Sequence, residues 1–206
     1  SLLIVSVIAM CTGMILALQS AQQLEKIGAT SYVANLVGVT LLRELGPLLT
    51  AIIMAGRSGA AYTAEIGSMR VAEEVDALEV IGVDPIRFLV WPKFLAMLFM
   101  LPCLTMWADM VGILSGGIFS GAFLGINYGV YYEQSVNFLK PMDVYQGLVK
   151  SVSFGAAITL IGCWQGFLAE NGAEDVGNRT TNSVVQSIFA IVLLDLTFTA
   201  INYYFR

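Results

Sequence analysis

The chain contains no histidine. That absence removes Ser-His-Asp and Cys-His catalysis, and with them the usual zinc-binding motifs. Charge is also scarce, at 12% of residues, and its balance is acidic, 10 basic against 15 acidic side chains. A surface of that sign has no basic stripe with which to hold a phosphodiester backbone, so nucleic-acid binding is excluded. Cysteine is limited to Cys11, Cys103 and Cys163, far apart and each inside an apolar run. They read as small core residues rather than as a disulfide or metal set.

What fills the chain is apolar side chain. Hydrophobic residues make up 57% of the 206 residues and the mean hydropathy is +0.78, values that belong to an integral membrane protein. Lipid offers no partner to a backbone N–H or C=O, so spanning segments must be helices or closed barrels, and these runs lack the alternation of barrel strands. An all-α protein with five spans follows, at about residues 2–18, 32–55, 88–125, 146–168 and 184–204, expected to form a single transmembrane domain over 1–206. The first run lacks the basic start and cleavage site of a signal peptide, so it reads as a span preceded by further chain. The third run would reach roughly 57 Å as one helix, which predicts a helix that projects from the membrane or breaks near Pro102 or its glycines. Residues 127–145 read as a polar connection, and "AENGAEDVGNRTTNS" as a turn-rich one.

Between the second and third spans lies a strongly charged stretch. Val71, Val75 and Leu78 recur at helical spacing among Glu73, Glu74, Asp76 and Glu79, and Asp84-Pro85 ends the pattern. The spacing predicts a short amphipathic helix over about 70–84, fit to lie in the groove of a soluble partner. Arg57, Arg70, Arg87 and Lys93 surround it, so the positive-inside bias places this side in the cytoplasm. Small residues form two further clusters, Gly56 to Gly67 and the four-residue repeat Gly117, Gly121 and Gly125, where backbones can approach closely within one chain.

Charges inside spans are costly and call for a partner or a wet cavity. Arg43 and Glu44 are adjacent, and helical neighbours point about 100° apart, so each needs its own partner. Counting 1.5 Å per residue, Arg43 lies roughly 15 Å and Asp195 roughly 14 Å from the outer ends of their spans. The depths predict that Arg43 or its neighbourhood meets Asp195, leaving Glu44 to face Lys150 or water in a central cavity.

The stretch "LLRELGPLLTAIIMAGRSGAAYTAEIGSMRVAEEVDALEVIGVDPIRFLVWPKF", with "TGMILALQ", "LVKSVSF" and "LLDLTFTA", resembles the MlaE/YrbE-type permeases, membrane subunits of ABC systems that move phospholipids with MCE-domain proteins. The resemblance implies a homodimeric permease with an N-terminal elbow helix ahead of the first span. It implies that Arg70, Val71, Glu73, Glu74, Val75, Leu78, Glu79 and Asp84 lie in the helix that couples to a cytoplasmic ATPase. It also implies an outward partner, a hexameric MCE protein, with a small STAS-domain protein as a further partner. Arg43, Glu44, Lys150 and Asp195 match polar positions of the family's lipid cavity. No G-x-x-x-x-G-K-[ST] motif is present, so the chain carries no cofactor of its own, and ATP with its magnesium would be bound by the ATPase subunit. The location implied is the inner membrane of a Gram-negative bacterium, with the chloroplast inner envelope for relatives.

Two rival readings differ in kind. An ion-coupled secondary transporter would use Glu44 and Asp195 to bind protons or sodium, but it leaves the charged loop helix without work. A membrane-embedded lipid enzyme would need paired carboxylates or a serine-lysine pair at the membrane surface, and the sequence shows no such cluster.

Overall fold

The computed structural model describes residues 1–26, 32–123, 127–170 and 172–204. Every regular element among them is helical: α1 Leu2–Glu25, α2 Val33–Thr40, α3 Gly46–Met54, α4 Ala60–Val71, α5 Glu74–Val80, α6 Trp91–Phe123, α7 Tyr128–Phe138, α8 Pro141–Phe167 and α9 Gly172–Tyr204. Wider π turns at Leu41–Leu45, Ala55–Gly59 and Ile86–Val90 join some of these end to end. Among the described residues, five continuous helices are therefore long and apolar enough to cross a bilayer: Leu2–Glu25, Val33–Val71, Ile86–Phe123, Pro141–Phe167 and Gly172–Tyr204.

Several helices run further than hydropathy alone marks. The second span continues to Val71, and the last begins at Gly172, inside the segment read as turn-rich. Polar residues do not end a helix whose backbone bonds are already made; they only carry it out of the lipid. Asn127 opens α7 in the segment read as a connection, its Oδ1 accepting from the Gly129 N–H at 2.9 Å. The third span is one helix with Pro102 inside it.

The chain folds as two compact units, one of Ser1–Thr50 with Pro102–Val149 and one of Ala51–Leu101 with Lys150–Arg206. In the first unit, α1 buries Val5, Ala9, Gly13, Ala17, Ala21 and Leu24, a mostly small stripe at near four-residue spacing, while Leu3, Val7 and Ile15 face outward. Lipid already solvates the large side chains, so packing is set by how closely backbones can approach. A Cβ on Gly13 would collide with the Gly112 carbonyl, and the Ser115 hydroxyl lies 3.1 Å from the Met10 carbonyl. Ala17, Ala21, Leu24, Val33, Val37 and Leu41 continue this core. Gly117 and Gly121 serve contact within the chain as expected, giving room to Tyr131 and Tyr128 of α7. Gly125 lies outside the described residues.

In the second unit, Gly59 packs on Ile158, Gly67 on Ala169 and Val176, and Gly166 on Ile66, which brings α4 against α8 and α9. Gly56 has open space around it and takes no part. The Thr63 hydroxyl, fully buried, lies 2.9 Å from the Gly162 carbonyl and 2.8 Å from Ser183 Oγ. Cys163 is buried as expected, whereas Cys11 and Cys103 are exposed, because each falls on an outward face of its helix.

Candidate functional site

The polar features concentrate around the turn Leu41–Leu45 in the first unit. A π turn holds an extra residue, and its bonding breaks the regular ladder: the Gly46 N–H donates to the Leu41 carbonyl, five residues back. Such turns recur at functional sites because they aim side chains that a straight helix would place elsewhere. Here the residues so aimed are Arg43 and Glu44, both partly buried.

Two helices grip this turn. From α8, Asp143 receives Arg43 Nε on its Oδ1 at 2.7 Å, and the terminal nitrogen Nη2 makes a second, close contact with the same oxygen. The other carboxylate oxygen of Asp143 accepts the Lys140 backbone N–H at 3.1 Å. Asp143 thus closes the start of α8, with Pro141 in the first helical position, while also binding a base. One turn on, Gly147 lets α8 lie on the Leu42 carbonyl, which any Cβ there would strike. From α6, the Asp109 carboxyl rests against Gly46.

In the second unit, Lys150 Nζ donates to Asp195 Oδ1 at 2.8 Å and to Thr199 Oγ1 at 3.1 Å. Lys150 is 1% exposed, so its ammonium is cut off from bulk water and leans on polar groups of the protein, this carboxylate and hydroxyl among them. Further along the same two helices, Gln165 Nε2 donates to Gln186 Oε1 at 2.7 Å.

The pairing expected from depth is therefore corrected: Arg43 meets Asp143, and Asp195 meets Lys150. Counting residues from a span's end gives height but not the direction a side chain points. Asp143 was hidden because it falls in the stretch read as a polar connection; its signal was the Pro141-x-Asp143 helix start. Asp109 and the Thr63 cluster also escaped notice, the first as one acid in a long apolar run.

The charged segment expected as one helix over 70–84 is two pieces. Arg70 and Val71 end α4, and Glu73 adopts a left-handed backbone, φ 59° and ψ 14°, before α5 begins at Glu74. Val75 is the buried anchor of α5, Leu78 is half-buried, and Glu74 and Glu79 are exposed. Arg70 and Asp76 pair across the break. Asp84 stands just ahead of the next helix and caps it, its Oδ1 accepting the Ile86 N–H at 2.9 Å. The tip between them exposes Val80 at 88% and Ile81 at 70%.

Comparison with known proteins agrees with this architecture. A family profile described as Permease MlaE matches residues 1–201. A probable ABC transporter permease protein of Rickettsia bellii is 39% identical over 97% of this chain and 77% of its own length. The intermembrane phospholipid transport system permease protein MlaE of Haemophilus influenzae is 34% identical over 98% of this chain and 78% of its own. The chloroplastic protein TRIGALACTOSYLDIACYLGLYCEROL 1 of Arabidopsis thaliana is 35% identical over 91% of this chain and 54% of its own. A five-span helical protein with charges paired inside its spans, matched along nearly its whole length by ABC permeases, is itself a multi-pass ABC transporter permease, not an enzyme, and belongs to the MlaE permease family.

Proposed function

We propose that this permease moves phospholipids between the inner membrane of a Gram-negative bacterium and an MCE-domain partner, using ATP hydrolysed on a separate subunit. The observation that carries the reading is the similarity, over 98% of the chain, to a relative named for intermembrane phospholipid transport. The whole chain acts as one permease domain, and two copies enclose an outward-facing cavity. Apolar walls receive acyl chains, while Arg43, Glu44, Lys150 and Asp195 supply its polar part. Arg43 is the headgroup cation, since a guanidinium matches phosphate oxygens and its side chain keeps 26% exposure beside Asp143.

On the cytoplasmic side an ABC ATPase receives α5. Val80 and Ile81 are apolar surface left uncovered by the described residues, with acidic Glu73, Glu74 and Glu79 close by in sequence. Closure of the ATPase pair pushes these elements, and rigid-body movement of the spans displaces lipid toward a hexameric MCE protein. A small STAS-domain protein completes the assembly.

Purification of the chain with its native partners, followed by mass spectrometry, tests the proposal. An ABC ATPase, an MCE protein and bound phospholipid are expected. Recovery of the permease without an ATPase, with transport driven by an ion gradient, would overturn it.

A further inference from the structure

Asp109 sits on α6, in the apolar interior of the third span, and is 6% exposed. Its Oδ1 has no hydrogen-bond partner among the described residues. An acid so placed is expensive in a membrane and is a candidate functional group by default. The fold has made room for it: a Cβ on Gly46 would fall on Asp109 Oδ1 and reach within 2.8 Å of the Leu41 carbonyl. The carboxyl therefore lies on the backbone where the π turn ends.

Arg43 stands three residues before Gly46, roughly 4.5 Å along the axis, within reach of a guanidinium on its flexible stem. In the unit of residues 1–50 and 102–149 the basic residues are Lys26, Arg43 and Lys140. Lys26 follows the last turn of α1 and Lys140 precedes α8, so Arg43 is that unit's base within a span. Two acids thus reach one turn from two helices. Asp143 is occupied by the arginine, and Asp109 waits. Of the paired groups the arginine has freedom to move, its side chain being 26% exposed against 3% for Asp143. A π turn can also slide its extra residue along the helix, which rotates the side chains it carries.

We propose that Asp109 is the second anion for Arg43, and that the guanidinium exchanges between Asp143 and Asp109 when the Leu41–Leu45 turn rearranges. Asp109 is then a positioning residue that acts through Arg43. The proposal rests on the reading of Arg43 as the headgroup cation, which the exchange would present to lipid or withdraw from it.

A mutant cycle in the full transporter, assembled with its partners in phospholipid nanodiscs, tests this by melting midpoint and by transfer of a fluorescent phospholipid. Asp109→Asn and Asp143→Asn alone should each cost little in melting midpoint, because the other acid still receives Arg43, but each should slow phospholipid transfer roughly tenfold, because the guanidinium has lost one of its two stations. Together they should lower the midpoint by clearly more than the sum of the single shifts, the sign of coupling between groups that share one partner. In an Arg43→Met background the midpoint losses should simply add. If the double variant fails to assemble, assembly of the triple variant with Arg43→Met supports the exchange, and equal failure of the triple overturns it. Additive losses with Arg43 present, or the same excess without it, also overturn it. A parent transporter that moves no phospholipid would sink the proposed function alone, since the midpoints still report on the exchange.

Discussion

Lys150 and Asp195 meet at 2.8 Å, the lysine on α8 and the acid on α9, with side-chain exposures of 2% and 19%. A pair this enclosed is held as a unit, because a charge left without its partner this far from water is costly. Lys150→Met should lower stability by about 3 kcal/mol, the usual cost of breaking a buried pair from one side. Lys150→Met with Asp195→Leu should recover most of that loss in thermal unfolding. A double variant as weak as the single would show that the pair does not act as a unit.

Gly46 and Gly147 are places where side chains have no room. Gly46→Val should displace Asp109, and Gly147→Val should separate α8 from the Leu42 carbonyl. Overpacking of this kind costs about 1–3 kcal/mol or more where backbone is the obstacle. Gly56→Val, which meets open space, should leave the melting midpoint nearly unchanged and serves as the control.

Glu73 is the one non-glycine residue with positive φ among the described residues. A left-handed conformation strains a residue with a Cβ, and glycine relieves it. Glu73→Gly should raise stability by up to about 1 kcal/mol, measured by thermal unfolding, a gain held down because the glycine also has more freedom in the unfolded chain. A clear loss would mean that the Glu73 side chain, and not only its backbone, holds α4 and α5 together.

Thr63 joins three helices through one hydroxyl. Thr63→Val keeps the shape and removes the contacts with Gly162 and Ser183, so it should cost about 1 kcal/mol, near the size of interhelical hydrogen bonds measured in membranes. Thr63→Ser should retain most of the stability in the same assay.

Val80 and Ile81 are outside the packed parts of the chain. Val80→Asp with Ile81→Asp should abolish ATP-driven phospholipid transfer and pull-down of the ATPase while leaving the melting midpoint of the isolated permease unchanged. Normal pull-down would remove α5 as the coupling element.

Much of the membrane architecture was legible in the sequence because hydropathy is a property of the chain itself. Runs such as Leu2–Glu25 must be helical wherever they lie, since lipid offers their backbone nothing else. The charges at Arg43, Glu44, Lys150 and Asp195 were equally plain, each standing out against apolar neighbours. Helix ends were harder to read: Val33–Val71 and Gly172–Tyr204 continue through polar residues that hydropathy takes for connections.

Partnership was not legible. Arg43 and Asp195 have matching depths, yet each is bound by a different group, Asp143 and Lys150, both supplied by α8. Sequence by itself determined that this chain crosses a membrane five times, carries charges within its spans, has no catalytic histidine and bears an acidic segment outside the lipid. Tertiary structure decided which acid holds which base, where the Leu41–Leu45 turn widens, and that Asp109 comes to rest against Gly46. The reason is physical: transfer from water to lipid depends on a residue's own chemistry, whereas pairing depends on the direction of a side chain and on the small residues that let another helix reach it.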